Sequence, residues 1–152
     1  MCLYADKENP LKGKRPIRFD KKGYATSWKV YEKKIKYGRE ITNSLCPPYQ
    51  GGLSIKNGWI VSNRKSKKID VEINEDRNGF SDFHICLGIH VYTTDISAED
   101  FFGYHSVKRE RYVVVPVRCH KSQLVAVSNM SSEAVFMKVF LKKADYDKAL
   151  SK

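Results

Sequence analysis

The chain has 152 residues, 41% of them hydrophobic, with nine tyrosines and seven phenylalanines, which is enough apolar material for one core and the usual length of one domain. Its 28 lysines and arginines against 17 acidic residues give a net charge of +11, a field that draws polyanions and admits a nucleic acid, an acidic protein surface or a nucleoprotein as partner. No run of about 18 apolar residues suits a membrane span, and MCLYADKENP lacks a basic-then-apolar leader, so a cytoplasmic protein without a membrane partner is expected.

Residues 1–23 read as a basic arm. Lys12, Lys14, Arg15, Arg18, Lys21 and Lys22 stand among Pro10, Gly13, Pro16 and Gly23, which break helix and strand alike. Leu3-Tyr4 and Ile17-Arg18-Phe19 are the candidate tethers. Such an arm either orders on a phosphate backbone or stays a solvated tail. A single domain, residues 24–152, follows it.

From Ser27 the pattern has period two: Trp28, Val30 and Glu32 alternate with Lys29, Tyr31 and Lys33, which predicts a strand through Ile35. The stretch ITNSLCPPYQGG, with paired prolines and paired glycines, is a loop. Asn57-Gly58, between Leu53-Ser54-Ile55 and Trp59-Ile60-Val61, predicts a tight hairpin, because both residues readily take positive backbone dihedrals. Arg64, Lys65, Lys67 and Lys68 then put four cations within five residues ahead of a short strand, IDVEI.

FHICLGIHVY predicts a strand, bent or bulged at Gly88. A helix over about 95–109 comes next, with Asp95 or Ser97 as its cap, acids early and Lys108 and Arg109 late, in agreement with the helix dipole. Phe101, Phe102 and Tyr104 are its expected anchors. RYVVVPVRC is a β-branched strand in which Pro116 removes a donor and marks a bulge or a sheet edge. LVAVSN and AVFMKVFLKK are two more strands, and ADYDKAL is a short terminal helix or frayed tail. The fold class is therefore α+β: mainly antiparallel sheet of about seven strands, one main helix and an irregular arm.

Strand alternation places His84, Cys86 and His90 on one face. Of these, His84 and Cys86 together with Cys119 and His120 could form a four-ligand zinc set, although the spacing matches no known zinc motif. The alternative is a half-exposed or helix-covered strand face, with a core supplied by Phe83, Ile85, Leu87, Ile89 and Val91. The four cysteines, Cys2, Cys46, Cys86 and Cys119, contain no CxxC pair, which excludes zinc-ribbon spacing and a dense disulfide framework. No Gly-x-Ser-x-Gly, HExxH or glycine-rich phosphate loop occurs, so neither catalytic residues, nor a metal, nor a cofactor is expected.

The order WKVY, CPPYQGG, GIHVYTT, ISAEDFF, YVVVPVRC, LVAVSN and AVFMKVFL resembles small phage and mobile-element proteins over about residues 28–141. Some of these are similar to the ADP-ribosyltransferase-like fold. That resemblance implies a nicotinamide pocket near His90 and Tyr92, with Glu133 as the nearest match to a catalytic glutamate. A phage-type origin implies an anti-defence factor that inhibits a nucleic-acid-guided, CRISPR-type nuclease.

The expected function is thus a non-enzymatic basic binder of RNA, DNA or a host nucleoprotein. Lys12, Lys14, Arg15, Arg18, Lys21 and Lys22 neutralise phosphates, and Arg64, Lys65, Lys67 and Lys68 form a second contact beside Trp59. Trp59 either stacks on a base or packs inside the hairpin. An ADP-ribosyltransferase-like enzyme using NAD is the alternative.

Overall fold

The computed structural model describes residues 3–6, 8–13, 15–33, 45–46, 55–62, 64–68, 73–75, 81–85, 87–104 and 112–151. In chain order the described strands are β1 (Leu3–Asp6), β2 (Tyr24–Lys33), β3 (Leu45–Cys46), β4 (Ile55–Lys56), β5 (Trp59–Val61), β6 (Ile73–Glu75), β7 (Ser81–Ile85), β8 (Ile89–Tyr92), β9 (Tyr112–His120), β10 (Leu124–Val127), β11 (Glu133–Phe136) and β12 (Lys138–Phe140). Helix α1 (Asp95–Tyr104) lies between β8 and β9, and helix α2 (Lys143–Ser151) follows β12. The fold is α+β with mainly antiparallel sheet, the class that the alternating segments indicate. Residues 105–109 of the expected main helix, 47–52 of the expected loop, 69–72 of the expected IDVEI strand, Lys14 and Cys86 lie outside the described residues; Leu45–Cys46, read as loop, instead pair with Glu32 and Lys33 of β2.

The larger sheet has the order β10-β11-β8-β2-β9-β12-β5-β4, with β3 beside β2; the smaller is β1-β7-β6. At the centre, β2 and β9 pair from Tyr24↔His120 to Glu32↔Tyr112. That ladder runs without a bulge through Trp28↔Pro116. The described pairing of β12 with β9 is the single pair Phe140↔Arg118, so Pro116 sits just beyond the point where β9 keeps a second neighbour.

Two segments that read as single strands are each divided. FHICLGIHVY breaks at Gly88, whose φ of 123° suits glycine alone. A Cβ there would come within 2.3 Å of Val135. The break sends β7 into the small sheet and β8 into the large one, so His84 and His90 belong to different sheets and not to the one continuous strand that the alternation implies. AVFMKVFLKK divides at Met137, whose amide donates to the Gln123 carbonyl while its own carbonyl accepts from Ser62. The hairpin forms as its sequence predicts: Asn57 and Gly58 have φ of 52° and 85°, with Lys56 paired to Trp59 across the turn.

Alternation along β9 decides where the core sits. Val113, Val115, Val117 and Cys119 are buried with Tyr31, Ile60, Ile89, Val91, Phe136, Val139 and Leu141, and Ala149 of α2 closes this side. Each buried Val, Ile, Leu or Phe among them contributes about 1.5–3 kcal/mol on leaving water. On the opposite face of β2 and β9, among the described residues, Ala98 of α1 packs at one end with Val30, Trp28, Tyr92, Tyr112 and Val114. The N-cap of α1 is Thr94, not Asp95 or Ser97: its Oγ1 accepts the Ser97 amide at 3.1 Å. The side chains of Phe101, Phe102 and Tyr104 lie outside those described.

The first 23 residues are joined to this body. Leu3 and Ala5 are buried with Ile85, Val125, Ala126 and Val135, Ile17 and Phe19 pack on the main core, and the Val127 amide donates to the Pro10 carbonyl.

Candidate nucleic-acid interface

Among the described residues α1 packs on the Tyr112–Val114 end of the β2–β9 face, and towards the other end Tyr24, Trp59 and Arg118 are exposed. Register fixes what is displayed there. Thr26 pairs with Arg118, Arg118 with Phe140, and Phe140 with Trp59, forming a row across β2, β9, β12 and β5. A second row begins with Tyr24 beside His120 and contains Lys138 opposite Val61. All lie on one face of the sheet, which brings Tyr24, Phe140 and Trp59 beside Arg118 and Lys138.

The rings remain accessible. Trp59 is 43% exposed and Tyr24 37%, so Trp59 is a surface residue and not the interior of its hairpin. The Arg118 guanidinium lies 4.2 Å from the Tyr24 ring centroid, and Lys138 Nζ lies 4.8 Å from that of Trp59. Phe140 meets Trp59 edge-on at 5.1 Å. Lys22, Tyr24, Trp59, Arg118, His120 and Lys138 line a concavity of about 660 Å3. A second hollow, of about 600 Å3, adjoins it across Tyr24, Arg118 and Phe140 and adds Arg18 and Lys142. Asp20 and Asp145 line the second hollow with these cations; among the described residues the one ion pair is Lys143–Asp147, so Arg118, Lys138, Lys22, Arg18 and Lys142 form no ion pair with a described residue.

A turn at residues 20–23 places Lys22 and Tyr24. The Asp20 carboxylate accepts the amides of Lys22 and Tyr24, both at 2.9 Å. Those amides, Tyr24 foremost, hold its carboxyl below the usual carboxylate range, aided by Arg118 nearby. Gly23, at φ 84°, closes the turn against His120, where a Cβ would stand 2.8 Å from Nε2. His120 is itself fixed: Nδ1 accepts the Ser122 amide at 3.2 Å, and Nε2 donates to the Lys22 carbonyl at 3.0 Å. Its ring meets Tyr24 edge-on at 4.7 Å.

The basic tract 64–68 docks beside this face. Lys67 Nζ donates to the Ser122 carbonyl at 2.7 Å, and Ser122 belongs to the lining of the central concavity. Arg64 has a structural task, since its guanidinium donates to the carbonyls of Ser66, Leu87 and Lys68. Lys65, Lys67 and Lys68 are thereby presented at the surface, all exposed. Of the arm cations, Arg18 and Lys22 line the two hollows and Lys21 is exposed in the turn between them. Arg15 lies elsewhere, donating to Ser132 Oγ in the β10–β11 connection, and the Lys12 amide donates to Asn9. The structure thus gathers Arg18, Lys22, Trp59 and Lys67, and adds Tyr24, Arg118, Lys138 and Phe140, which sequence reasoning missed, and His120, which it read as a candidate zinc ligand. One signal for them was available: Arg118 is the single charge in the β-branched run YVVVPVRC, a placement that suits an open face.

Of the histidine face, His90 is described in full, whereas Cys86 and the side chain of His84 lie outside the described residues. His90 is buried and its Nε2 donates to the Ile85 carbonyl at 3.1 Å; burial pushes its pKa down to about 4. Cys119 points into the core and its thiol is pushed up to about 12 by burial, whereas His120, one residue on, points to the opposite face. Among the described residues no three His, Cys, Asp or Glu side chains are grouped as metal ligands. Glu133 pairs across from Tyr92, but its carboxylate accepts from Ser131 Oγ, and neither residue lines the basic hollows.

No family model, no curated protein and no solved structure is similar to this chain at a significant level. No described helix is long and apolar enough to cross a membrane.

Proposed function

We propose that the protein binds single-stranded nucleic acid, RNA or DNA, on the open end of the β2–β9–β12–β5 face, without catalysing a reaction. The observation that carries this is the pairing of two exposed rings, Tyr24 and Trp59, with cations poised over them on one sheet face. Stacking is indifferent to base identity and is worth about 1–3 kcal/mol per base, while interleaved cations take the phosphates. The net charge of +11 accelerates encounter with such a ligand. Lys65, Lys67 and Lys68 extend the charged border past Ser122. An inhibitor of a nucleic-acid-guided defence nuclease would use this same face to cover an exposed strand of the nucleoprotein.

Titration of fluorescent oligonucleotides at increasing salt tests the proposal. Affinity is expected to fall linearly on a log–log plot, with a slope of about 0.7 per phosphate contacted, and single strands should compete better than duplex. Salt-independent binding, or no binding at low salt, removes it.

A further inference from the structure

The spacing of the rings limits how a strand can lie on this face. Phe140 and Trp59 have centroids 5.1 Å apart at an interplanar angle of 65°. A base inserted between two rings needs roughly 7 Å, twice the stacking rise, so these two rings form one composite patch for one base. Tyr24 is the second patch. It is separated from Trp59 by the β9 and β12 strands and shifted by one row. Three strand spacings across and two residues along give about 16 Å between their Cα atoms.

A helically stacked strand advances about 3.4 Å per nucleotide and needs nearly five steps to cover that span; a splayed strand advances roughly twice as far and needs two or three. The groups between the patches are cationic: Arg118 and Lys138, with His120 beside them.

We infer that the ligand strand crosses the β-strands in a splayed form, with a footprint of three or four nucleotides, outer bases stacked on Tyr24 and on the Trp59–Phe140 patch, inner nucleotides held by phosphates alone. This rests on the binding reading above. It implies little discrimination among inner bases and no place for a duplex, whose bases cannot separate to this spacing.

The test uses the whole chain and thymidine oligonucleotides from one to twelve residues, read at low salt by displacement of a fluorescein-labelled strand followed by anisotropy. Affinity per site is expected to rise steeply up to three or four residues and then increase only in proportion to the number of registers. In the shortest oligonucleotide that reaches this plateau, an abasic residue at either end should weaken binding about tenfold, and one inside by less than about threefold. Trp59→Ala should abolish the effect of one terminal abasic substitution and Tyr24→Ala that of the other. Salt-dependent binding with equal losses at every position, or no break in the length series, overturns the footprint while leaving the binding face in place. No binding of any length overturns both.

Discussion

The Lys29 ammonium donates to the carbonyl oxygen of His90 at 2.7 Å, inside the core face of the central sheet. Both residues titrate, and burial pushes both down: Lys29 from 10.5 to about 8, His90 from 6.5 to about 4. In each case the unfolded chain holds its proton more tightly than the folded one, so stability rises with pH through the window between the two values. The His90 contribution is complete above pH 6.5 and is lost as pH falls through 4. That of Lys29 is complete only above 10.5 and is lost as pH falls through 8.

Each window spans about 2.5 pH units, equivalent to about 3 kcal/mol. Urea unfolding between pH 4 and 6.5 should therefore show a steady loss of stability on acidification. Between pH 8 and 10.5 the wild type should gain stability relative to Lys29→Met, and the two curves should run parallel elsewhere. A difference independent of pH contradicts the buried-amine account.

Arg118→Ala and Lys138→Ala should weaken oligonucleotide binding about five- to twentyfold and each lower the salt slope by about 0.7. Trp59→Ala and Tyr24→Ala should cost about 1–3 kcal/mol of binding each with the slope unchanged. All four side chains lie on the open face, so melting temperatures should stay within a few degrees. Parallel titrations at three salt concentrations separate the two kinds of contact.

Gly58→Ala should destabilise the fold by about 1–3 kcal/mol, measured by thermal unfolding. Its φ is 85°, and a Cβ would meet the Phe140 ring at 2.6 Å and the Leu141 carbonyl at 2.8 Å. Phe140 is part of the proposed binding face, so weaker binding should accompany the lost stability.

Cys119 should resist alkylation in the native protein at pH 8 and react only on unfolding, because its thiol is buried and pushed up to about 12. Peptide mapping after iodoacetamide treatment with and without urea reads this directly.

Local signals carried the fold a long way. Asn57-Gly58 specified its turn, the β-branched run specified β9, and the alternation around Trp28 specified β2. What alternation could not say is which face lies inward. Lys29 reads as the solvent side of its strand, yet it shares the core face with Tyr31 and Val115 while Trp28 is covered by α1. Two covered faces on one strand erase the contrast between apolar and polar positions. The binding face was half legible for a related reason. Charge clusters such as 64–68 stand out in a chain, but Arg118, Lys138 and Tyr24 come together only through cross-strand register, which links residues about a hundred positions apart. Continuous alternation also hid the division at Gly88, since the pattern persists while the chain changes sheets.

Among the described residues helix α1 shields one end of the central ladder, and the other end is bare at Tyr24 and Arg118. Arg118 and Val117 are successive residues of one strand, the first on the exposed surface and the second in the interior. Whatever occupies the bare end would press on a backbone that is also the protein's mechanical keel. Slow amide exchange along β2 and β9 should therefore become slower still when the surface is filled, which makes the centre of the molecule a reporter for events at its margin.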